Sequence, residues 1–199
     1  MNNVSKSWKD SNVFTKQLEL NLKELSSITN YPTHWIDFIE LIKINNPLSI
    51  LDIGCGCGAI FELCRYHFED IRYFGLDYSE NAVILAKKTW DTNSFDIMDY
   101  KSLTEGYISE FDLLHLGALL DVLPNGDEAL EYILSIRPKS VLITRMKLTE
   151  KESYYETYEA YDEITTCAYY HNKINFLNLC EKYGYTVSNL NNNFYLNKK

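Results

Sequence analysis

The sequence predicts a doubly wound α/β fold: a mostly parallel seven-stranded sheet with helices on both faces and an N-terminal helical pair. Three observations predict it. Short apolar runs alternate with amphipathic stretches between residues 47 and 145, as repeated βα units do. A glycine-rich turn, Gly54-Cys55-Gly56-Cys57-Gly58, separates the first apolar run from the helix after it. Two strand-like runs, 185–190 and 194–196, flank a group of asparagines, which reads as a closing β-hairpin.

Each element has its own signal. Residues 13–28 carry Phe14, Leu18, Leu22 and Leu25 at helical spacing. A second helix starts at Thr33 after Pro32, with Trp35, Ile36, Ile39 and Ile42 on its apolar side, and Asn45-Asn46-Pro47 ends it. Residues 48–53 are a continuous apolar run, as a strand buried on both faces requires. A helix over 59–68, a strand over 71–76 and a helix from Ser79, its expected cap, to Trp90 follow. The third strand is expected near 93–95, the fourth over 111–116 and the fifth over 141–144, with a helix over 125–136 between the last two. Beyond Arg145 the alternation stops, and residues 146–168 are acidic and rich in tyrosine. A last helix over 173–183 ends at Gly184, a residue suited to a left-handed C-cap.

Composition narrows the partners. Hydrophobic residues make up 46% of the 199 and aromatics 14%, a globular balance. The formal net charge is −9 and no basic stripe exists, which argues against nucleic-acid phosphates and anionic membrane surfaces. Small molecules and glycans remain. The first ten residues are polar, unlike a secretory signal, and no window approaches the ~20 apolar residues of a membrane span. Five irregularly spaced cysteines read as reduced thiols of a cytoplasmic protein. Cys55 and Cys57 have no second pair to complete a zinc site, so no metal is expected.

The glycine turn carries the chemistry. Glycines between a strand and a helix let the backbone turn tightly and let a ligand approach where a Cβ would stand. Asp77 ends the following strand, where a carboxylate can accept hydrogen bonds from ribose hydroxyls. Both features place an adenosine-type ligand across the carboxyl ends of the strands. A nicotinamide-binding domain satisfies the same turn and must be weighed. Asp52, just before the turn, suits a cationic amine better than a pyrophosphate. Phe95-Asp96-Ile97 stands where an adenine amino group could be read, and residues 146–199 are too few for the second domain of a usual dehydrogenase.

Asp52 to Gly58 resembles the first motif of class I S-adenosylmethionine-dependent methyltransferases, and Gly75-Leu76-Asp77-Tyr78-Ser79 resembles their second. Asp96-Ile97-Met98-Asp99 is similar to their adenine-contacting acidic motif, and residues 111–125 to their strand-four motif. The resemblance implies strand order 3-2-1-4-5-7-6 and a single methyltransferase domain over 1–199. Within it, 1–46 would be a helical cap, 47–145 the donor-binding core and 146–199 an acceptor-side segment with the last helix and hairpin. It further implies that Asp52 and Gly54 hold the methionine amine and that Gly56 passes beneath the ligand. Asp77 would take the ribose, with Tyr78 beside the adenine. Asp96 and the Ile97 N–H would read the adenine, and Leu116 would pack near the methionine. The donor would be S-adenosylmethionine and the product S-adenosylhomocysteine. One departure stands out: Asp121-Val122 lies where many small-molecule members carry a histidine base.

The acceptor side is less defined. Methyl transfer to an oxygen gains from a base, and histidine is the natural one near neutral pH. His34 and His67 fall in helices away from the crevice. His115 ends strand four, and His171 precedes the last helix in Tyr169-Tyr170-His171-Asn172, with Asn172 a plausible cap; a loose resemblance to some glycan and secondary-metabolite methyltransferases favours His171. Tyr154, Tyr158 and Tyr161 recur at i, i+4 and i+7, which fits either the apolar side of a helix or a lid over the acceptor. Tyr31 could close the other side. The acceptor expected is a small molecule or glycan, methylated on oxygen or nitrogen. The rival is a binding or assembly protein that keeps the fold without turnover.

Overall fold

The computed structural model describes residues 8–161 and 164–199; the start of the polar N-terminal segment, residues 1–7, lies outside the described residues. The chain begins with α1 (Ser11–Leu25), whose Asp10 cap accepts from the Asn12 N–H at 2.8 Å. Helix α2 (Thr33–Asn45) stops where Asn46 turns left-handed, at φ 46°, ahead of Pro47. Then β1 (Ser49–Ile53), α3 (Ala59–His67), β2 (Arg72–Asp77), α4 (Glu80–Trp90) and β3 (Phe95–Ile97) alternate. A short α5 (Glu105–Ile108), β4 (Leu113–Gly117), α6 (Gly126–Ser135) and β5 (Ser140–Thr144) continue the pattern. The third strand thus starts where it was expected to end. Ser79 makes no side-chain cap at α4; the Asp77 carboxylate accepts the Ser79 N–H instead, at 2.8 Å.

Residues 146–172 differ from the expected pattern. They form β6 (Lys147–Thr149), β7 (Tyr154–Ala160) and β8 (Ile164–Asn172), a second sheet of order β6-β8-β7. The tyrosine segment is therefore a strand, not a helix. After it come α7 (Lys173–Lys182), β9 (Tyr185–Leu190) and β10 (Asn193–Lys198). Asn172 caps α7 through its side-chain oxygen, which accepts from the Asn175 N–H at 2.8 Å.

The main sheet has seven strands in the order β3-β2-β1-β4-β5-β10-β9. Once the three strands of the second sheet are set aside, this is the implied order 3-2-1-4-5-7-6. Only β10 runs against its neighbours, pairing Phe194 with Ile143 and Leu196 with Val141. Every residue of β1 and β5 is buried because side chains alternate between two covered faces. Leu51, Ile53, Leu114, Leu116 and Ile143 meet α6 and α7 on one face. Ile50, Tyr73, Leu113 and Leu142 meet α2, α3 and α4 on the other. A smaller cluster of Phe14, Cys57 and Ala82 docks α1 onto the glycine turn and α4. No described helix is long and apolar enough to cross a membrane.

Candidate active site

In the sheet order, β1 and β4 are neighbours whose following helices lie on opposite faces, so a crevice opens at their carboxyl ends. A cavity of about 440 Å³ occupies it, within the usual range for small-molecule sites. Its floor is Ile53, Gly54 and Gly56 from the glycine turn and Gly117, Ala118 and Leu119 after β4. The turn is locked to β2, since the Gly54 and Cys55 N–H groups both donate to Leu76 O, at 2.7 and 3.0 Å. Gly56 has φ +52°, a conformation an L side chain adopts only with strain, and its N–H donates to Asp77 Oδ2 at 2.9 Å.

Asp77 stands on the wall at the end of β2, its two oxygens accepting from Gly56 and Ser79. Burial raises its carboxyl to about 6, against the lowering effect of those backbone hydrogen bonds. A carboxylate has about four acceptor positions, so the two bonds leave capacity for ligand hydroxyls. Tyr78 also lines the cavity, with Lys9 Nζ 5.4 Å from its ring centre. Next along the wall are Met98, Asp99, Tyr100 and Lys101. The Met98 N–H donates to Asp77 O at 2.9 Å, which ties this segment to β2.

A roof closes over the floor. Trp8, Phe14 and Gln17 come from the N-terminal side and Tyr158, Ala160 and Tyr161 from β7 and its end. Gln17 Oε1 accepts the Cys57 N–H at 3.3 Å, and the Cys57 thiol donates to Phe14 O at 3.2 Å. Trp8 Nε1 donates to Thr166 Oγ1 at 3.0 Å and Lys16 Nζ to Tyr161 O at 2.9 Å. Helix α1 and the second sheet therefore meet above the glycine turn.

Several candidates named from sequence stand elsewhere. Asp52 is buried and does not line the cavity; it accepts from Tyr73 Oη at 2.6 Å and from His115 Nδ1 at 2.7 Å. His115 is fully buried, with Nε2 3.1 Å from Thr144 Oγ1, and a Cβ on Gly117 would come 2.5 Å from its Cε1. The chain Tyr73–Asp52–His115–Thr144 ties β2, β1, β4 and β5 together beneath the floor. Even-numbered residues of β1 face α2, which is why Asp52 points away from the crevice. Leu116 likewise packs into the core one residue before the floor begins at Gly117. Asp96 and Ile97 are exposed and off the wall, where Met98 and Asp99 stand instead.

The acceptor-side candidates separate too. Tyr31 packs edge-on against Trp35 and His67, at 5.8 and 5.7 Å, away from the cavity. Tyr158 lines the cavity, whereas Tyr154 stacks on Tyr170 at 4.8 Å on the second sheet. His171 is fully buried and off the wall. Its Nδ1 lies 2.5 Å from Asp127 Oδ1, and its Nε2 is buried with no hydrogen-bond partner among the described residues. Burial alone would raise the Asp127 carboxyl, but hydrogen bonds from His171 and Ser153 outweigh it and hold it below the usual range. Asp121 is buried off the wall as well; burial raises its carboxyl, opposed by the charges of Arg145 and Lys147. Among the lining residues that the sequence reading did not name as site residues are Trp8, Phe14, Gln17, Asp99 and Arg145. Asp99 belongs to the acidic motif after the third strand, and Arg145 follows the carboxyl end of a parallel strand, where ligands bind.

The fold and cavity define an α/β scaffold with a ligand-sized crevice at the switch point of its sheet. A model of the methyltransferase domain matches residues 27–190. The chain belongs to the methyltransferase domain family, within the class I S-adenosylmethionine-dependent fold. It resembles an S-adenosylmethionine-dependent methyltransferase from Clostridium acetobutylicum at 10% identity and TM-score 0.64, covering 93% of this chain and 98% of that one. Human N-acetylserotonin methyltransferase, solved with its donor bound, is similar at 15% identity and TM-score 0.64, with 96% of this chain and 57% of that one covered. The sugar N-methyltransferase KedS8 from Streptoalloteichus is similar at 12% identity and TM-score 0.57, over 83% of this chain and 88% of that one.

Proposed function

We propose that the cavity holds S-adenosylmethionine with its ribose on Asp77 and its adenine beside Tyr78, Met98 and Asp99. The methionine part then runs over Gly54, Gly56 and Gly117 toward β5. An acceptor oxygen or nitrogen attacks the methyl carbon in line as the carbon–sulfur bond breaks, which leaves S-adenosylhomocysteine, and the acceptor's proton passes to solvent. Asp77 offers the ribose hydroxyls a carboxylate acceptor, and the acidic protein as a whole favours a ligand that carries a sulfonium and an ammonium. The acceptor, a small molecule or glycan, enters at the β4–β5 end beneath Tyr158 and Tyr161, whose rings and hydroxyls suit a polar organic surface. Five buried free thiols accord with a reducing, cytoplasmic setting.

Both candidate histidines are buried off the wall, so the chemistry rests on alignment, which can supply effective molarities of about 10⁵–10⁸ M. The Tyr73–Asp52–His115–Thr144 chain serves as a rigid support for that alignment. The observation that carries the reading is Asp77, a cavity-facing carboxylate bonded to the glycine turn. Calorimetry with S-adenosylhomocysteine and NAD tests it. We expect binding of the first and not of the second; the reverse result removes the reading. Release of S-adenosylhomocysteine from the methyl donor against an acceptor panel then separates an enzyme from a binding protein with the same fold.

A further inference from the structure

Arg145 is the first residue beyond β5, at the end of the cavity away from Asp77. Its strand lies three places from β2 in the sheet, about 14 Å at the usual strand spacing. Its backbone is left-handed, with φ 66°, which costs a non-glycine residue energy unless the surroundings enforce it. Here they do. Asn193 Oδ1 accepts the Arg145 N–H at 3.0 Å, and Asn193 Nδ2 donates to Asp37 Oδ2 at 2.6 Å. Asn191 Nδ2 donates to both oxygens of the same buried carboxylate, at 3.0 and 2.9 Å. The Met146 N–H donates to Asn192 O at 3.2 Å. The hairpin turn thus grips the end of β5 and turns the chain so that Arg145 leaves the sheet at the cavity wall.

The guanidinium is uncommitted there. Among the described residues no carboxylate lies within ion-pair distance of it and no side-chain hydrogen bond engages it. Its charge is felt by Glu24, Asp121 and the two roof phenols, Tyr158 and Tyr161. The neighbouring His34 is pushed down to about 4, by burial first and then by Arg145, and so stays neutral at pH 7. Lys147 adds a second cation on the same side, 6.0 Å from the Tyr158 ring centre. In a protein of net charge −9, Arg145 and Lys147 bring two cations to this end of the cavity, with Glu24 and Asp121 in range of their charge.

We propose that Arg145 selects the acceptor: the molecule methylated here is a small organic acid, carrying a carboxylate or phosphate that pairs with the Arg145 guanidinium while its nucleophilic oxygen or nitrogen faces the donor methyl. The planar fork of arginine matches either anion with two parallel hydrogen bonds. This deepens the donor reading above and rests on it.

The test uses matched probes on protein saturated with S-adenosylhomocysteine. Benzoate, phenyl phosphate and neutral benzamide are titrated by ligand-observed NMR into wild type, Arg145→Gln and Arg145→Lys, after melting curves confirm that each is folded. We expect wild type to prefer at least one anion over benzamide by about 10-fold, the lower range for a charge-assisted hydrogen bond, and Arg145→Gln to lose that preference. Arg145→Lys should keep part of it. Comparing benzoate with phenyl phosphate shows which anion the site takes. No preference in wild type, or one that survives Arg145→Gln, overturns the proposal. So does a tenfold loss of S-adenosylhomocysteine affinity in Arg145→Gln with 5′-methylthioadenosine affinity unchanged, because Arg145 would then hold the donor's own carboxylate. Failure of S-adenosylhomocysteine to bind wild type at all would instead sink the donor reading.

Discussion

Asp77 shows how one side chain couples turn, strand and ligand. Its carboxyl is raised to about 6, chiefly by burial, so in the free protein a proton competes with any hydroxyl that donates to it. Ribose hydroxyls favour the ionised form, and the donor affinity should be flat above pH 7 or so and fall by up to about tenfold per unit below about 6. The sign follows from the raised value: ionisation is what the ligand needs and what low pH removes. Asp77→Asn should flatten this dependence and weaken binding by roughly 10- to 150-fold, the range for a hydrogen bond to a charged group. Calorimetry with S-adenosylhomocysteine between about pH 5 and 8 checks both; a flat wild-type profile would mean that another group reads the ribose. His171 makes the opposite case. It is buried against Asp127, off the cavity wall, so His171→Ala should cost about 1–3 kcal/mol of stability and leave the turnover of folded protein within a few-fold. His171→Asn, which keeps a donor near the Nδ1 position, should recover part of the stability. A hundredfold turnover loss in folded protein would return His171 to the mechanism.

At the scale of elements, what was legible in the sequence depended on how many physical demands each segment met. The glycine turn and β1 were legible because sterics and two-sided burial leave few alternatives: Gly56 needs its φ of +52°, and every residue of β1 is buried. The tyrosine segment was ambiguous for a geometric reason. A spacing of four is even, so Tyr154 and Tyr158 share a face of a strand as well as of a helix. The β-branched and aromatic run Ile164-Thr165-Thr166 and Tyr169-Tyr170 was the compositional hint that β8 would form beside it. At β3 the register decides: Asp96 lies in the strand and Asp99 just beyond it, and only the true end of the strand decides which carboxylate lines the cavity. Asp52 and His115 were legible as residues near the site but not as a buried pair, since sequence does not say which face of β1 the carboxylate takes. The place of Arg145 after a parallel strand was legible, but its turn onto the wall depends on a contact with Asn193 from the far end of the chain, which no local pattern records.

At the scale of the molecule, the site is assembled from parts that are packed to very different degrees. The floor belongs to the main sheet, fully packed on both faces. The roof is different: α1 has only Val13 and Phe14 buried, β7 has no buried residue, and hydrogen bonds from Trp8 to Thr166 and from Lys16 to Tyr161 join the N-terminal side to the second sheet above the cavity. A ligand held between floor and roof must therefore stabilise the folded chain by mass action and tie the less packed roof to the packed floor. S-adenosylhomocysteine at a hundred times its dissociation constant adds about 2.7 kcal/mol. For a chain of this length each kcal/mol raises the melting temperature by roughly 2–4 °C, so the expected shift is about 5–11 °C. NAD at the same concentration should give none, since the turn's N–H groups at Gly54, Cys55, Gly56 and Cys57 are already bonded to Leu76, Asp77 and Gln17 and are not left to cradle a pyrophosphate. Amide exchange followed alongside should slow most over residues 11–25 and 154–161, the roof segments, and least in β1 and β5, which are already protected. Stabilisation without slower roof exchange would place the ligand outside the cavity, and equal shifts from NAD would mean that the site reads only adenosine and not the methyl donor.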